Sequence, residues 1–412
     1  MINHIVEEAK RCLRCKAPSC MKGCPVGTPI NEMIALLLDD SIKEAGKKLF
    51  ENNPLSVICA LVCPHEQFCE GHCVLSKKGM PIQVSSIEHY ISDYYLNLIN
   101  NKPVKDPDKK VAIIGSGPAG ITIALILAEK GYDITIFEAH DKIGGVLRYG
   151  IPEFRLPKEI LRRLKAKLLE MGIKIRPNIL IGPTLTIDDL FRDGYKAAFI
   201  GTGVWKPRKL NIKGESLGHV HYAIDYLKNP NSYNLGNKVA IIGAGNVAMD
   251  VARTVLRKGS REVYIIYRKG EDEVTASPHE VEYAKIDGVK FEYYMSPIEL
   301  IDEGIKYVKT KVQTDENGDE KVIPIEGSEG LFLCNSIIVA VSQGPRANIV
   351  SNTTGINVNN QGLVATDEYG HTTREGVFAS GDVVTGAKTV AEAVQSSKKV
   401  ANAIDEYVSS IA

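Results

Sequence analysis

Val111-Ala-Ile-Ile-Gly115-Ser-Gly117-Pro-Ala-Gly120 decides the fold. Four apolar residues fit a buried strand, and glycines spaced Gly-x-Gly-x-x-Gly fit the turn from that strand into a helix. Gly115 permits the tight turn, Gly117 lets the backbone approach a pyrophosphate, and Gly120 allows close helix–strand packing. The helix N-terminus then faces the negative charge. Residues 120–130 read as the helix, stopped by Gly131, and 133–138 as the next strand. Glu138 ends that strand where an acid binds a ribose diol. An empty helix–sheet turn is the plainer alternative, and the matching flanks disfavour it. Residues 111–128 carry no charge over 18 positions, long enough to be weighed as a membrane span. The glycines and Pro118 inside them break any continuous helix.

The pattern restarts downstream. Val-Ala-Ile-Ile-Gly recurs at 239–243 and opens Gly243-Ala-Gly245-Asn246-Val247-Ala248. Alanine is an accepted third member of this fingerprint. Residues 238–242, 246–258 and 262–267 read as strand, helix and strand. The second strand now ends in Tyr267-Arg268-Lys269, with no acid at the ribose position. Arg268 and Lys269 suit the 2′-phosphate of NADP, although a basic surface turn would look the same. A tail, Gly376-Val-Phe-Ala-Ser-Gly381-Asp382, precedes a long helical segment. Its placement predicts that the second nucleotide domain is inserted into the first.

Upstream lie the cysteines. Eight of nine fall in the first 73 residues. Cys12, Cys15, Cys20 and Cys24 form one group, with Pro25 next; Cys59, Cys63, Cys69 and Cys73 form another, with Pro64 inside it. Two four-cysteine zinc sites, structural or redox thiols, and iron–sulfur clusters all compete for such a pattern. The first fingerprint suits a flavin or nicotinamide nucleotide, and beside a flavin fold two [4Fe–4S] clusters have an evident electronic task. Cys334, before an apolar run, reads as a small core residue. This region is otherwise helical and short-segmented: Thr28-Pro29 looks like an N-cap and first turn, and 41–52 and 86–98 repeat apolar residues at helical spacing. Residues 101–110 read as a polar linker.

Composition narrows the class. The 412 residues suffice for two or three domains, and 44% are apolar, so a packed core is expected. Lys plus Arg equals Asp plus Glu at 50 each, which gives no support to nucleic-acid or anionic-membrane binding. The N-terminus lacks an apolar signal core, so a cytoplasmic location with reduced thiols is expected. No Cys-x-x-Cys follows the flavin fingerprint at a helix start, which argues against disulfide reduction. No catalytic side chain is assigned, because hydride transfer to a flavin depends on positioning.

The order of these motifs resembles the family of the glutamate synthase small (beta) subunit. That family includes the flavin/iron–sulfur part of dihydropyrimidine dehydrogenase and the large subunit of NADH-dependent ferredoxin:NADP oxidoreductase. The resemblance spans nearly the whole chain. It is carried by Cys-x2-Cys-x4-Cys-x3-Cys-Pro at 12–25, Cys-x3-Cys-Pro-x4-Cys-x3-Cys at 59–73, Gly-Ile-Pro-Glu-Phe-Arg-Leu-Pro-Lys at 150–158, Gly-Ala-Gly-Asn-Val-Ala-Met-Asp at 243–250 and Phe-Ala-Ser-Gly-Asp at 378–382. It implies interleaved clusters: Cys12, Cys15, Cys20 and Cys73 on one, and Cys24, Cys63 and Cys69 on the other. Glu88 is favoured over Cys59 as the eighth ligand. It also implies flavin contacts from Glu138, Gly145, Arg148, Gly381, Asp382, Thr389 and Val390. Ser397 departs from the glycine that relatives often carry in the final helix.

The expected fold is α/β, with two Rossmann-like dinucleotide-binding domains, one inserted in the other, after a small α-helical iron–sulfur domain. The expected boundaries are 1–105 for the cluster domain, 106–228 plus 345–412 for the FAD domain, and 229–344 for the NAD(P) domain. The expected function is an electron-input oxidoreductase subunit: NADPH, with NADH possible, to FAD, to two [4Fe–4S] clusters, and on to a partner subunit or ferredoxin. The alternative is the flavin subunit of a dihydropyrimidine dehydrogenase or of a ferredoxin:NAD(P) oxidoreductase. No cysteine stands at the N-terminus for a glutaminase, and 30 residues after Asp382 leave no room for an FMN barrel. The acceptor is therefore expected on a separate chain.

Overall fold

The computed structural model describes residues 2–99, 102–314 and 320–411. Asn101, the first residue of the expected linker, lies outside the described residues. The chain divides into two compact units, residues 1–148, 153–204 and 345–412, and residues 149–152 and 205–344.

The first unit begins with helices Ile2–Lys10, Ser19–Gly23, Ile30–Leu38, Ile42–Asn52, Ser56–Val62 and Val84–Leu98. The helix expected to be capped by Thr28 instead starts at Ile30, with Pro29 at the N-cap. Thr28 Oγ1 lies 3.3 Å from Cys24 Sγ, so the hydroxyl serves the cysteine and not the helix end. Val84–Leu98 buries Val84, Ile87, Glu88, Ile91, Ser92 and Leu96, a stripe at helical spacing. A carboxylate in that stripe is the anomaly to which the site returns.

The same unit holds a parallel five-stranded sheet in the order Val377–Ala379, Ala197–Ile200, Asp106–Ile114, Tyr132–Phe137, Lys174–Arg176. Pro118–Glu129 follows the central strand, and Val390–Ser410 packs against it. The central strand starts earlier than expected, at Asp106, within the segment read as linker. Residues 111–128 are thus half strand and half helix. Among the described residues, no helix is long and apolar enough to cross a membrane.

The second unit repeats the plan. Its parallel sheet runs Val220–Tyr222, Ser336–Val339, Lys238–Ile242, Glu262–Ile266, Lys290–Glu292. Val239 and Ile241 pack toward the Asn246–Arg257 helix, while Ala240 and Ile242 pack with Cys334, Met295 and Ile337. Both faces are covered, which is why the strand reads as a continuous apolar run. Residues 205–228, assigned to the first domain from sequence, lie in this second unit. The reason is sheet completion: Val220–Tyr222 pairs with Ser336–Val339, and it precedes the fingerprint that marks the domain in sequence. An antiparallel sheet of Met295–Ile301, Gly304–Thr314, Glu320–Pro324 and Gly330–Leu333 completes the unit.

Candidate functional site

The first glycine turn is closed by backbone on one side and open on the other. Gly115 has φ of 99°, and a Cβ there would stand 2.6 Å from Gly201 O. A Cβ on Gly120 would stand 2.0 Å from Gly115 O. At Gly117 the nearest atom is 4.0 Å away, so its Cα faces open space at the N-cap of Pro118–Glu129. Gly145, with φ of 52°, comes so near that its Cβ would lie 2.8 Å from Gly117 Cα. These positions make a cradle that side chains would fill. That is the form a pyrophosphate-binding turn requires.

Glu138 is only 4% exposed. Its carboxylate accepts from Ser116 N at 3.0 Å, from Ser116 Oγ, and from His140 N at 2.8 Å. His140 Nδ1 lies 3.0 Å away. Burial raises its pKa, and the hydrogen bonds from His140 and Ser116 outweigh that, so the net shift is downward. Ser116 was not singled out in the sequence. It fills an unspecified fingerprint position, yet it ties the turn to the acid and lies 3.2 Å (Oγ) from Gly144 N.

Three further segments of this unit carry the other residues implied for the flavin, and one of them meets the turn. Gly381, with φ of 72°, would place a Cβ 3.1 Å from Ala119 Cβ, which sets the following Asp382 beside the helix start. Burial pushes the Asp382 carboxyl up to about 6, against one backbone donation from Lys388 N at 3.2 Å. Thr389 caps the Val390–Ser410 helix reciprocally with Glu392, so its hydroxyl is committed to the cap, and Val390 is buried. Arg148 is half-buried, with Nε donating to Ile143 O at 2.8 Å. Ser397 Oγ lies 2.8 Å from Ser380 Oγ, both buried, so the departure from glycine is absorbed by a hydroxyl pair.

In the second unit, Gly243 has φ of 125° and its Cβ would lie 2.4 Å from Ala340 O. Gly245 caps Asn246–Arg257, with only Thr275 Oγ1 near its Cβ position, at 3.6 Å. Asn246 Oδ1 accepts from Ser277 N at 2.8 Å, Val247 is half-buried, and Ala248 is buried. The two cations after the second strand differ. Arg268 is exposed, whereas Lys269 Nζ is paired with Glu320 at 2.7 Å.

The cysteines separate into two sets. Cys12, Cys15, Cys20 and Cys73 line one pocket with Ile30, Ile34 and Val84. Burial pushes the Cys20 thiol up to about 11, with Cys73 and Cys12 adding to the rise. Cys24, Cys63, Cys69 and Glu88 are the residues implied for the second: Cys59 and burial push the Cys63 thiol up and burial pushes the Cys69 thiol up, with the charges of Glu88 and Cys24 adding to both. Cys59 is buried next to Cys63 and Asn53, which hold its thiol below the usual range against the effect of burial. Glu88 is 5% exposed, its pKa driven well up by burial, and its Oε1 has no hydrogen-bond partner. A buried acceptor of this kind costs on the order of 1–3 kcal/mol unless something engages it. A cluster iron would. Among the described residues, no three His, Cys, Asp or Glu side chains close on a single ion. A four-iron cluster takes one ligand per iron, so its ligands need no common point.

One residue near this set was invisible in the sequence. Lys398 Nζ donates to Asn52 Oδ1 at 3.0 Å. Burial lowers its pKa, while the charge of Cys24 acts to raise it. Asn52 lies on the helix before the Cys59 helix, and Lys398 on the helix that Thr389 caps.

Glu88 and Cys59 make different predictions. Glu88→Ala is expected to alter the paramagnetic resonance of one cluster and leave the flavin spectrum intact, and Cys59→Ala to leave both unchanged. Anaerobic spectra of the two variants check this; the reverse pattern would place Cys59 on the iron.

Comparison with known proteins covers both units. Residues 109–397 match the family described as pyridine nucleotide-disulphide oxidoreductase, and residues 2–98 match dihydropyrimidine dehydrogenase domain II, 4Fe-4S cluster. The chain is 34% identical to a "Glutamate synthase [NADPH] small chain" of Halomonas elongata, over 97% of this chain and 90% of that one. It is 32% identical to an "NAD-dependent dihydropyrimidine dehydrogenase subunit PreT homolog" of Salmonella typhi, over 98% and 94%. A solved structure, FprA of Mycobacterium tuberculosis in complex with NADPH, is similar in fold, with a TM-score of 0.62 at 17% identity over 73% of this chain and 85% of that one.

Proposed function

We infer the role of this chain from its membership: it belongs to the pyridine nucleotide-disulphide oxidoreductase family and, with the glutamate synthase small chains, carries an N-terminal 4Fe-4S domain. It is an electron-input oxidoreductase subunit, taking electrons from NAD(P)H through FAD to two [4Fe–4S] clusters and on to a partner. When bound, FAD supplies the exchange between two-electron and one-electron chemistry that nicotinamide and clusters require of each other.

Within that scheme each residue has a task. Gly115, Gly117, Gly120 and Gly145 keep the turn free of side chains for a pyrophosphate. Ser116 and Glu138 hold its shape, with Glu138 placed for the adenosine ribose. Asp382, Arg148, Thr389 and Val390 surround the rest of the flavin. Cys12, Cys15, Cys20 and Cys73 hold one cluster. Cys24, Cys63, Cys69 and Glu88 hold the other. Several relatives are named as small or beta subunits, which supports a separate partner chain. Cluster ligation calls for reduced cysteines, so we place the protein in the cytoplasm.

The observation that carries this reading lies inside one compact unit. The Val390–Ser410 helix begins at flavin-site residues, and Lys398, roughly 12 Å further along at 1.5 Å per residue, meets Asn52 and the field of Cys24. This supports a relay in which the Cys24 set is the one toward the flavin turn.

Gly243, Gly245, Asn246 and Val247 take the nicotinamide nucleotide. With Lys269 held by Glu320, recognition of a 2′-phosphate falls to Arg268. NADPH is expected to reduce the flavin faster than NADH, by tenfold or more, since a charge-assisted hydrogen bond is worth about 1.5–3 kcal/mol. Stopped-flow reduction with each nucleotide measures this. Arg268→Ala should erase the preference; equal rates in the unaltered protein would refute the assignment.

A further inference from the structure

We propose that Lys398, anchored by Asn52, is the fixed cation that raises the reduction potential of the cluster on Cys24, Cys63, Cys69 and Glu88. The proposal rests on the relay reading and assigns a residue to its step from flavin to cluster.

The charge around that set is heavily negative. Three thiolates and Glu88 bring one negative charge per iron. Glu70 adds another, since its charge bears on both Cys69 and Glu88. Its carboxylate is held in place by Ser85, whose N and Oγ donate to Oε1 at 2.9 Å and 2.7 Å. Reduction adds one electron, supplied by the reduced flavin, and removes none of these charges. Away from bulk water, each neighbouring anion makes that electron harder to add, and each cation makes it easier.

Lys398 is placed to offset this. It lies on Val390–Ser410, which packs against Ser56–Val62, the helix whose C-cap is Cys63. The side chain is half-buried, and Nζ donates to Asn52 Oδ1 at 3.0 Å. Among the described residues, no carboxylate pairs with it. A part-buried ammonium without a counter-ion requires an anion nearby, and Cys24 is the group whose negative charge it feels. Asn52 adds a second donor: its Nδ2 is buried and has no hydrogen-bond partner. Lys398 and Asn52 thus hold donors that no described protein group uses, next to ligands that are anionic once loaded. Net charge and hydrogen bonds to sulfur are two of the levers that set a cluster's potential.

The other set has no such neighbour. The cations whose charge reaches it, Arg11 at Cys73 and Arg14 at Cys12, are both exposed. Solvent and salt screen exposed charges far more than part-buried ones. A purely structural role for Lys398, tying the last helix to Ile42–Asn52, would change stability and leave both potentials where they are.

The test is a dithionite titration of the full-length, cluster-loaded protein with redox mediators, each cluster followed by its paramagnetic resonance. The signal lost in Cys69→Ala identifies the cluster concerned. Lys398→Met keeps an unbranched stem and removes the charge. It should disfavour reduction of that cluster about tenfold, the order expected of one unit charge acting through protein, or about 59 mV for a one-electron couple. The flavin and the other cluster should keep their potentials. Lys398→Arg should restore the value. Asn52→Leu, which leaves the lysine without its anchor, should disfavour reduction severalfold. Lys399→Met, at the exposed neighbour, is the surface-charge control and should change nothing. An unmoved potential in Lys398→Met, an equal shift of both clusters, or an equal shift in Lys399→Met would overturn the proposal. Should Lys398→Met fail to hold iron, Asn52→Leu decides, and an unmoved potential there overturns it. Clusters of the unaltered protein that dithionite reduces and NADPH does not would defeat the relay reading, while a shift in Lys398→Met would still stand.

Discussion

Gly120→Ala is expected to yield a chain without flavin, even though the second fingerprint carries Ala248 at the equivalent position, because the backbone here leaves a Cβ no room. The added Cβ would stand 2.0 Å from Gly115 O, 3.1 Å from Gly115 C and 3.2 Å from Ile113 Cγ2. Two of these are backbone atoms of the strand end, which cannot turn aside as a side-chain tip can. Overpacking of this kind costs about 1–3 kcal/mol or more. Here the strain moves the Gly115 carbonyl and with it the open edge at Gly117. Flavin content should fall below roughly a tenth, since each factor of ten is about 1.4 kcal/mol. NADPH-driven dye reduction should fall with it. Gly218→Ala, where nothing lies within 4 Å of the Cβ position, is the matched control and should retain flavin. Full flavin occupancy in Gly120→Ala would mean the pyrophosphate lies elsewhere.

Cys69→Ala should cut the relay between its halves. Cys69 is buried in the set with Glu88 and Cys24, the set nearer Lys398 and the C-terminal helix. Iron should fall by about half, as expected for the loss of one of two four-iron clusters. NADPH should still bleach the flavin, while delivery to a protein acceptor drops by on the order of a hundredfold, about 2.7 kcal/mol in barrier terms. Cys12→Ala should also halt delivery, yet leave the cluster of the Cys69 set reducible by NADPH. Quantitative iron analysis and freeze-quenched paramagnetic resonance separate the two. If Cys12→Ala blocks reduction of the other cluster, the order is reversed.

Much of this was legible because the relevant residues are local in sequence. Each glycine fingerprint states its strand, turn and helix within about a dozen positions, and both sheets place that strand centrally. The cysteine spacing narrowed the chemistry to metal or thiol sites, while the choice of clusters rested on the neighbouring fingerprints and the partition into sets on the resemblance. Glu88 could be named by resemblance; that its Oε1 is orphaned could only be seen in three dimensions. Residues 205–228 were misplaced because a short strand such as Val220–Tyr222 carries too little pattern to announce its sheet. Lys269 looked equivalent to Arg268 until Glu320, 51 residues later, was found to hold it. Lys398 was hidden for the same reason, since its partner Asn52 is 346 residues away.

The central claim is that one chain joins a nicotinamide-reduced flavin to two iron–sulfur clusters. It is tested most directly by adding NADPH anaerobically to the purified protein and following flavin absorbance and cluster paramagnetic resonance together, on samples of known metal content. The account predicts about eight iron per chain, the content of two four-iron clusters, with flavin bleaching followed by the signals of reduced clusters. Zinc in place of iron, or iron clusters that stay oxidised while the flavin is fully reduced, would contradict it.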